Sequence, residues 1–116
     1  MGRMQQRKGR AAELELCRIL NERGIPAKAG AAQNYGTEPD ISGVSGFHCE
    51  VKRCERLKMG DWLQQAERDA LRFGGEPAVF FRRSREQWHV VLPLESFINL
   101  FRSNVDLAPI PAQNPE

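Results

Sequence analysis

The chain has 116 residues, the size of one domain. A hydrophobic fraction of 41% is adequate for one core, and no apolar run approaches the ~18 residues that a membrane span needs. The formal net charge of +2 is too small to identify a nucleic-acid binder, so where the charges fall matters more than their sum.

Met1 to Gln6 is polar and reads as loose. Arg7 to Arg23 is predicted to be a helix that stops at Gly24. At 100° per residue, Ala12, Leu16, Cys17, Ile19 and Leu20 share one apolar stripe. Glu13 falls inside that stripe and Glu15 points away from it. A carboxylate on a buried face is costly without a partner, which a metal or a neighbouring lysine would supply. The plainer alternative is that Glu13 reaches the edge of the core and meets solvent or an arginine. Ile25 to Gly30 reads as a short strand, with Pro26 suiting an edge or a strand start. Ala31 to Glu38 is a polar loop leading into Asp40. Tyr35 in that loop either stacks on a base or anchors the loop.

Pro39 to Lys52, PDISGVSGFHCEVK, reads as a hairpin. Ile41 to Val44 is its first strand, Ser45-Gly46 the turn, and Phe47 to Arg53 the second strand. Strand side chains alternate between faces. His48, Glu50 and Lys52 therefore share one face, while Phe47, Cys49 and Val51 share the other and suit a core. Asp40 arrives beside the charged face from the neighbouring strand. Two carboxylates and an amine together are poor packing material and good phosphodiester chemistry. Hard cations such as Mg²⁺ take oxygen ligands, which Asp40 and Glu50 would provide. Lys52 would orient the attacking water or neutralise charge developing on phosphorus. The competing reading is a solvated hairpin face of mixed charge.

Glu55 to Gly60 is a charged connection, Asp61 a predicted N-cap, and Trp62 to Phe73 a helix stopped by Gly74-Gly75. Its stripe is Trp62, Leu63, Ala66, Ala70 and Phe73. Gln65 lies at the margin of the stripe, with Asp69 one turn on, whereas Gln64 points well outside. Gln65 is thus the glutamine placed to reach a phosphate or a water, or else an ordinary boundary residue. Pro77 opens a strand, Ala78 to Arg82, whose continuous apolar character suggests burial on both sides. Ser84 to Gln87 is a turn, and Trp88 to Leu92 pairs back as a hairpin. Leu94, Phe97, Ile98 and Phe101 then mark a short amphipathic helix, expected to close the core rather than to meet a second copy. Residues 105–116 hold Pro109, Pro111 and Pro115 and read as a disordered tail to a single domain of residues 1–104.

Cys17, Cys49 and Cys54 are odd in number and form no C-x-x-C pair, so neither a disulfide framework nor a zinc site is signalled. Cys17 and Cys49 fall at core positions. With no signal-like stretch near the start, the expected location is the cytoplasm of a cell or of an infected host. Basic residues cluster at Arg3, Arg7, Lys8 and Arg10, at Lys52, Arg53, Arg56 and Lys58, and at Arg82, Arg83 and Arg85. Each cluster either meets phosphates or is solvated surface.

Pro39-Asp40 followed by Glu50-Val51-Lys52 resembles the signature of the PD-(D/E)XK nuclease superfamily. Lys8 to Leu16 is similar to the first helix of its small Holliday-junction resolvase branch, which has phage-encoded and VRR-NUC-like relatives. Gln65 after Trp62 looks like that branch's helical glutamine. The resemblance covers roughly residues 7 to 101. It implies an α/β restriction-endonuclease-like core, a mixed twisted sheet of about five strands flanked by helices. It also implies a DNA endonuclease with Glu13, Asp40 and Glu50 holding Mg²⁺ or Mn²⁺. The Val51 main-chain carbonyl would be a further ligand, Lys52 and Gln65 would complete the catalytic set, and the enzyme would be a homodimer. Arg7, Lys8, Arg10, Tyr35, Arg53, Arg56 and Lys58 are the expected DNA contacts. Branched DNA is the expected substrate. The loop AAQNYGTE departs from the serine- and arginine-containing loop of the resolvases, which leaves nicked, flapped or single-stranded DNA open as the substrate. A separate alternative is a non-catalytic DNA-binding or assembly module, against which the intact Asp40, Glu50 and Lys52 argue.

Overall fold

A computed structural model describes residues 3–30 and 39–103, with side chains from Gly9 onward. The elements are α1 (Arg3–Glu22), β1 (Lys28–Ala29), β2 (Ile41–Ser42), β3 (Phe47–Arg53), α2 (Met59–Phe73), β4 (Glu76–Arg82), β5 (His89–Val91) and α3 (Leu94–Ser103). Their order is the predicted one. The strands form one sheet in the order β1-β2-β3-β4-β5. β3 and β4 run parallel and every other neighbouring pair is antiparallel. A parallel pair needs a long crossover, and α2 provides it.

The two helices α1 and α2 cover opposite faces of β3. In register with β4, Cys49 lies opposite Ala78 and Val51 opposite Phe80. Cys49, Val51 and Phe80 meet Ala12, Leu16 and Cys17 of α1 in one core, which also holds Ala27 and Ile41. Val79 and Phe81 point the other way and meet Trp62 and Ala66 of α2 in a second core. His48, Glu50 and Lys52 share that second face, beneath α2.

Several boundaries differ from the sequence reading, each for a local reason. α1 begins at Arg3, not Arg7, because residues 3–8 contain only good helix formers and nothing that breaks the turn. β1 and β2 are shorter than expected. Gly43 ends β2 with a φ of +86°, and a Cβ there would lie 2.1 Å from the Pro26 carbonyl oxygen. The sheet edge thus closes on a contact that only glycine permits. α2 begins at Met59, a turn before the expected start, because Met59 packs against the second core. Lys58 is the residue before the helix and makes no side-chain cap, so Asp61 sits inside the first turn and is not the N-cap.

The largest correction concerns α3. Its apolar face was expected to close the core. Instead Leu94 is 69% exposed, Phe97 51% and Phe101 67%. The residue α3 buries is Ser96, whose Oγ donates to Glu76 Oε1 at 2.6 Å, and Asn99 Nδ2 donates to Glu76 Oε2 at 3.3 Å. Polar contacts from the start of β4 therefore hold the helix on its hydrophilic side, leaving the aromatic side outward. Among the described residues no helix is long and apolar enough to cross a membrane. The proline-rich tail, the loop 31–38 with Tyr35, and the side chains of Arg7 and Lys8 lie outside what is described.

Candidate active site

Asp40 is held by its backbone before its side chain does anything. Its N–H donates to the Cys49 carbonyl at 3.0 Å, and its own carbonyl accepts from the Gly30 N–H at 2.8 Å. Its Oδ2 accepts from the Val51 N–H at 2.8 Å. The carboxylate is thus fastened to the middle of β3, next to Glu50. Burial raises the pKa of Asp40, against the pull of the Val51 N–H and the Lys52 charge.

Glu50 projects from β3 toward α2 and is buried. Burial, and then the charge of Asp40, push its pKa up to about 8, with Lys52 opposing and Asp69 and Glu13 adding to the rise. Glu13 reaches in from α1. Burial, and then Asp40, raise its pKa to about 7, while Arg10 at 3.6 Å pulls it down. Lys52 Nζ donates to Gln65 Oε1 at 3.3 Å, which ties the one amine of the β3 face to the margin of α2. Gln64, by contrast, is exposed.

Three pairs of residues face each other across α2 and β3: Lys52 with Gln65, Glu50 with Asp69, and His48 with Phe73. Four helical residues advance about 6 Å and two strand residues about 6.6 Å, so the two elements stay in step over this length.

His48 and Asp69 were not proposed as site residues from sequence. His48 is 3% exposed, and its ring stacks on Phe73 at 6.4 Å between centroids and 13° between planes. His48 Nε2 and Glu50 Oε2 share a hydrogen bond at 3.1 Å. Burial lowers the His48 pKa, against the opposite pull of Asp69 and Asp40. Among the described residues, His48, Glu50 and Asp69 are the trio whose ligand atoms all lie within 4.8 Å of one another. Glu13, Asp40 and Glu50 do not make so tight a set. Glu50 is turned to His48, Asp40 is tied to the Val51 N–H, and Glu13 lies beside Arg10. The strand alternation did put His48 on the right face; what was missing was a reason to treat a buried histidine as anything but packing.

A family model described as "Phage putative PDDEXK endonuclease" matches residues 4–113. The chain belongs to this endonuclease family. No curated protein matches it. Among solved structures, the PDDEXK endonuclease is similar to Archaeoglobus fulgidus Hjc, described as a Holliday junction resolvase from an archaeal hyperthermophile. The two are 24% identical, the match covers 73% of this chain and 72% of that one, and the TM-score is 0.51. The mixed five-stranded sheet flanked by three helices is therefore a restriction-endonuclease-like fold. Nucleases of this kind generally use divalent metals. The donor set of the PDDEXK endonuclease fits one: oxygen ligands, Glu50 buried and Glu13 and Asp40 partly so, with Asp40 within the electrostatic reach of both glutamates.

The basic residues expected to meet DNA have varied surroundings. Arg10 donates to the Gly30 carbonyl and lies beside Glu13. Arg53 donates to Glu55 at 3.1 Å and to Ser84 at 3.0 Å. Arg56 and Lys58 are exposed. Glu15, unassigned by the sequence reading, accepts from Arg82 Nε and from Trp88 Nε1, each at 3.0 Å.

Proposed function

We propose that this PDDEXK endonuclease is metal-dependent and hydrolyses phosphodiester bonds in branched DNA. Glu13, Asp40 and Glu50 would hold Mg²⁺ or Mn²⁺, with the Val51 carbonyl as a further ligand. The observation that carries the reading is three carboxylates, from α1, the residue before β2, and β3, gathered beside a lysine; burial raises the pKa of all three, and the Asp40 charge raises those of Glu13 and Glu50 further. Such a group is costly without a cation, and perturbed acids in a shared site are a signature of chemistry. A bound dication supplies polarisation of the phosphate and a water acidic enough to attack near neutral pH.

The chain's own residues supply the rest. The Lys52 ammonium faces the charge that develops on phosphorus, and Gln65 Oε1 fixes where that ammonium sits. The Val51 N–H holds Asp40 in place through the reaction. Cutting both strands of a junction symmetrically takes two sites, so we read the enzyme as a homodimer. The outward aromatic side of α3 supports an assembly of that kind.

The test is incubation of the protein with labelled four-way junction, nicked, flapped and linear DNA, with and without Mg²⁺. Junction cutting that requires Mg²⁺ is expected. The AAQNYGTE loop favours a second reading, in which nicked, flapped or single-stranded DNA is cut first. Lys52→Ala is expected to bind DNA and to lose about 10²–10³-fold in cutting rate. Undiminished cutting by that variant, or Mg²⁺-independent cutting by the parent, overturns the assignment.

A further inference from the structure

The trio that the fold brings together most tightly is not the one the motif names. We propose that His48, Glu50 and Asp69 form a second cation position, which takes a borderline transition-metal dication such as Zn²⁺ in preference to Mg²⁺. This rests on the reading above in one respect: Glu50 serves both positions.

The geometry supports the proposal in three ways. First, the ligand atoms of His48, Glu50 and Asp69 all lie within 4.8 Å of one another. Three ligands around a tetrahedral Zn²⁺ stand about 3.4 Å apart, so closure takes shifts of about 1 Å, within reach of carboxylate rotamers. Second, the histidine is already oriented. Its ring stacks on Phe73 and presents Nε2 to Glu50 Oε2. The approach of Gly75 to His48 keeps the backbone in place, since a Cβ on Gly75 would lie 2.9 Å from the His48 nitrogen. Third, a buried histidine–carboxylate pair is complete with two members. Asp69 adds a second carboxylate at the same point from a different element, which a bound cation would draw in.

The donor set selects the ion. Mg²⁺ takes oxygen ligands, whereas neutral imidazole suits Zn²⁺ and its neighbours. Three protein ligands also leave a fourth position open for water or for a phosphate oxygen, as in catalytic zinc sites.

The experiment titrates Co²⁺, a coloured stand-in for Zn²⁺, into the full metal-free chain, followed by calorimetry and visible absorption. The wild type is expected to take two ions per chain. Asp69→Asn and His48→Gln are each expected to weaken one of them by more than tenfold and to remove its absorption band, while Asp40→Asn removes the other. Circular dichroism checks the fold. Asp69→Asn is isosteric at a half-buried helix margin, so it carries the test if His48→Gln misfolds. Unchanged Co²⁺ stoichiometry, affinity and spectrum in Asp69→Asn overturn the second position. If Asp40→Asn alone abolishes binding, the first position stands and this one falls. If Asp69→Asn alone abolishes it, the reverse holds. No binding by the wild type sinks both.

Discussion

The two faces of β3 are almost equally buried and entirely unlike. On the α1 side, Cys49 is fully buried among aliphatic neighbours, and burial pushes its thiol pKa up to about 12. On the α2 side, His48 and Glu50 are nearly as buried, yet they meet each other and Asp69, on the face where Lys52 bonds to Gln65. Burial of an apolar group stabilises the fold, and burial of a carboxylate costs unless something offsets it. One strand thus carries a face that holds the molecule together and a face that the molecule must compensate. The second kind of face is retained where it has chemistry to perform.

Substitutions on the two faces should separate stability from activity. The largest effect is expected from Glu50→Gln. Loss of the proposed dication ligand should cut the cleavage rate by about 10³-fold, the equivalent of several kcal/mol at the transition state. The same change should raise the melting temperature of the metal-free protein, because a neutral amide escapes the cost of burial and the repulsion of Asp40. A metal-free variant that melts below the wild type would break the comparison. On the opposite face, Cys49→Ser should do the reverse. It should lose about 1–3 kcal/mol in denaturant melts, by placing a hydroxyl in an apolar site, and still cut DNA when folded.

A smaller effect is expected from pH. The folded pKa values of Glu13 and Glu50 lie near 7 and 8, above the ordinary 4.5. Their contribution to stability is complete below about pH 4.5 and is lost as pH rises through those values. His48, whose pKa is lowered from 6.5, opposes this only on the acid side. Metal-free melting temperature should therefore fall from about pH 4.5 to about pH 8, unopposed by His48 above pH 6.5, and saturating dication should flatten the fall. A flat metal-free profile would mean that burial and the Asp40 charge do not raise the two glutamates. The smallest effect should be that of Phe101→Ser on the exposed face of α3, within about 0.5 kcal/mol in the monomer. Sedimentation of that variant against the wild type checks whether the face joins two copies.

Much of this was legible in the sequence because periodicity reports burial. Alternation placed His48, Glu50 and Lys52 on one face, and the helix wheel preferred Gln65 to Gln64 and set Glu13 into its stripe. What periodicity does not report is the partner. The charged side of β3 was open to being read as a solvated face, since nothing in its own residues says that α2 lies over it. The α3 helix failed in the opposite sense. Its i, i+3, i+4, i+7 pattern gave an amphipathic helix correctly, but an apolar stripe does not state which surface it meets. Ser96 and Asn99, two polar residues bonded to Glu76, decided the orientation. The Asp61 cap failed because Met59 had core to cover, and tertiary packing outweighs a local capping preference.

The matched stride of α2 and β3 constrains which insertions and deletions this protein tolerates. One residue added within α2 between Gln65 and Phe73 would rotate everything beyond it by about 100° and separate Phe73 from His48, and an addition ahead of Asp69 would part it from Glu50 as well. The exposed stretch from Glu55 to Lys58 bears no such relation to its surroundings, and extra residues there would be absorbed as slack. Variation in chain length among relatives that still cut DNA should therefore accumulate before α2 begins and be absent within it.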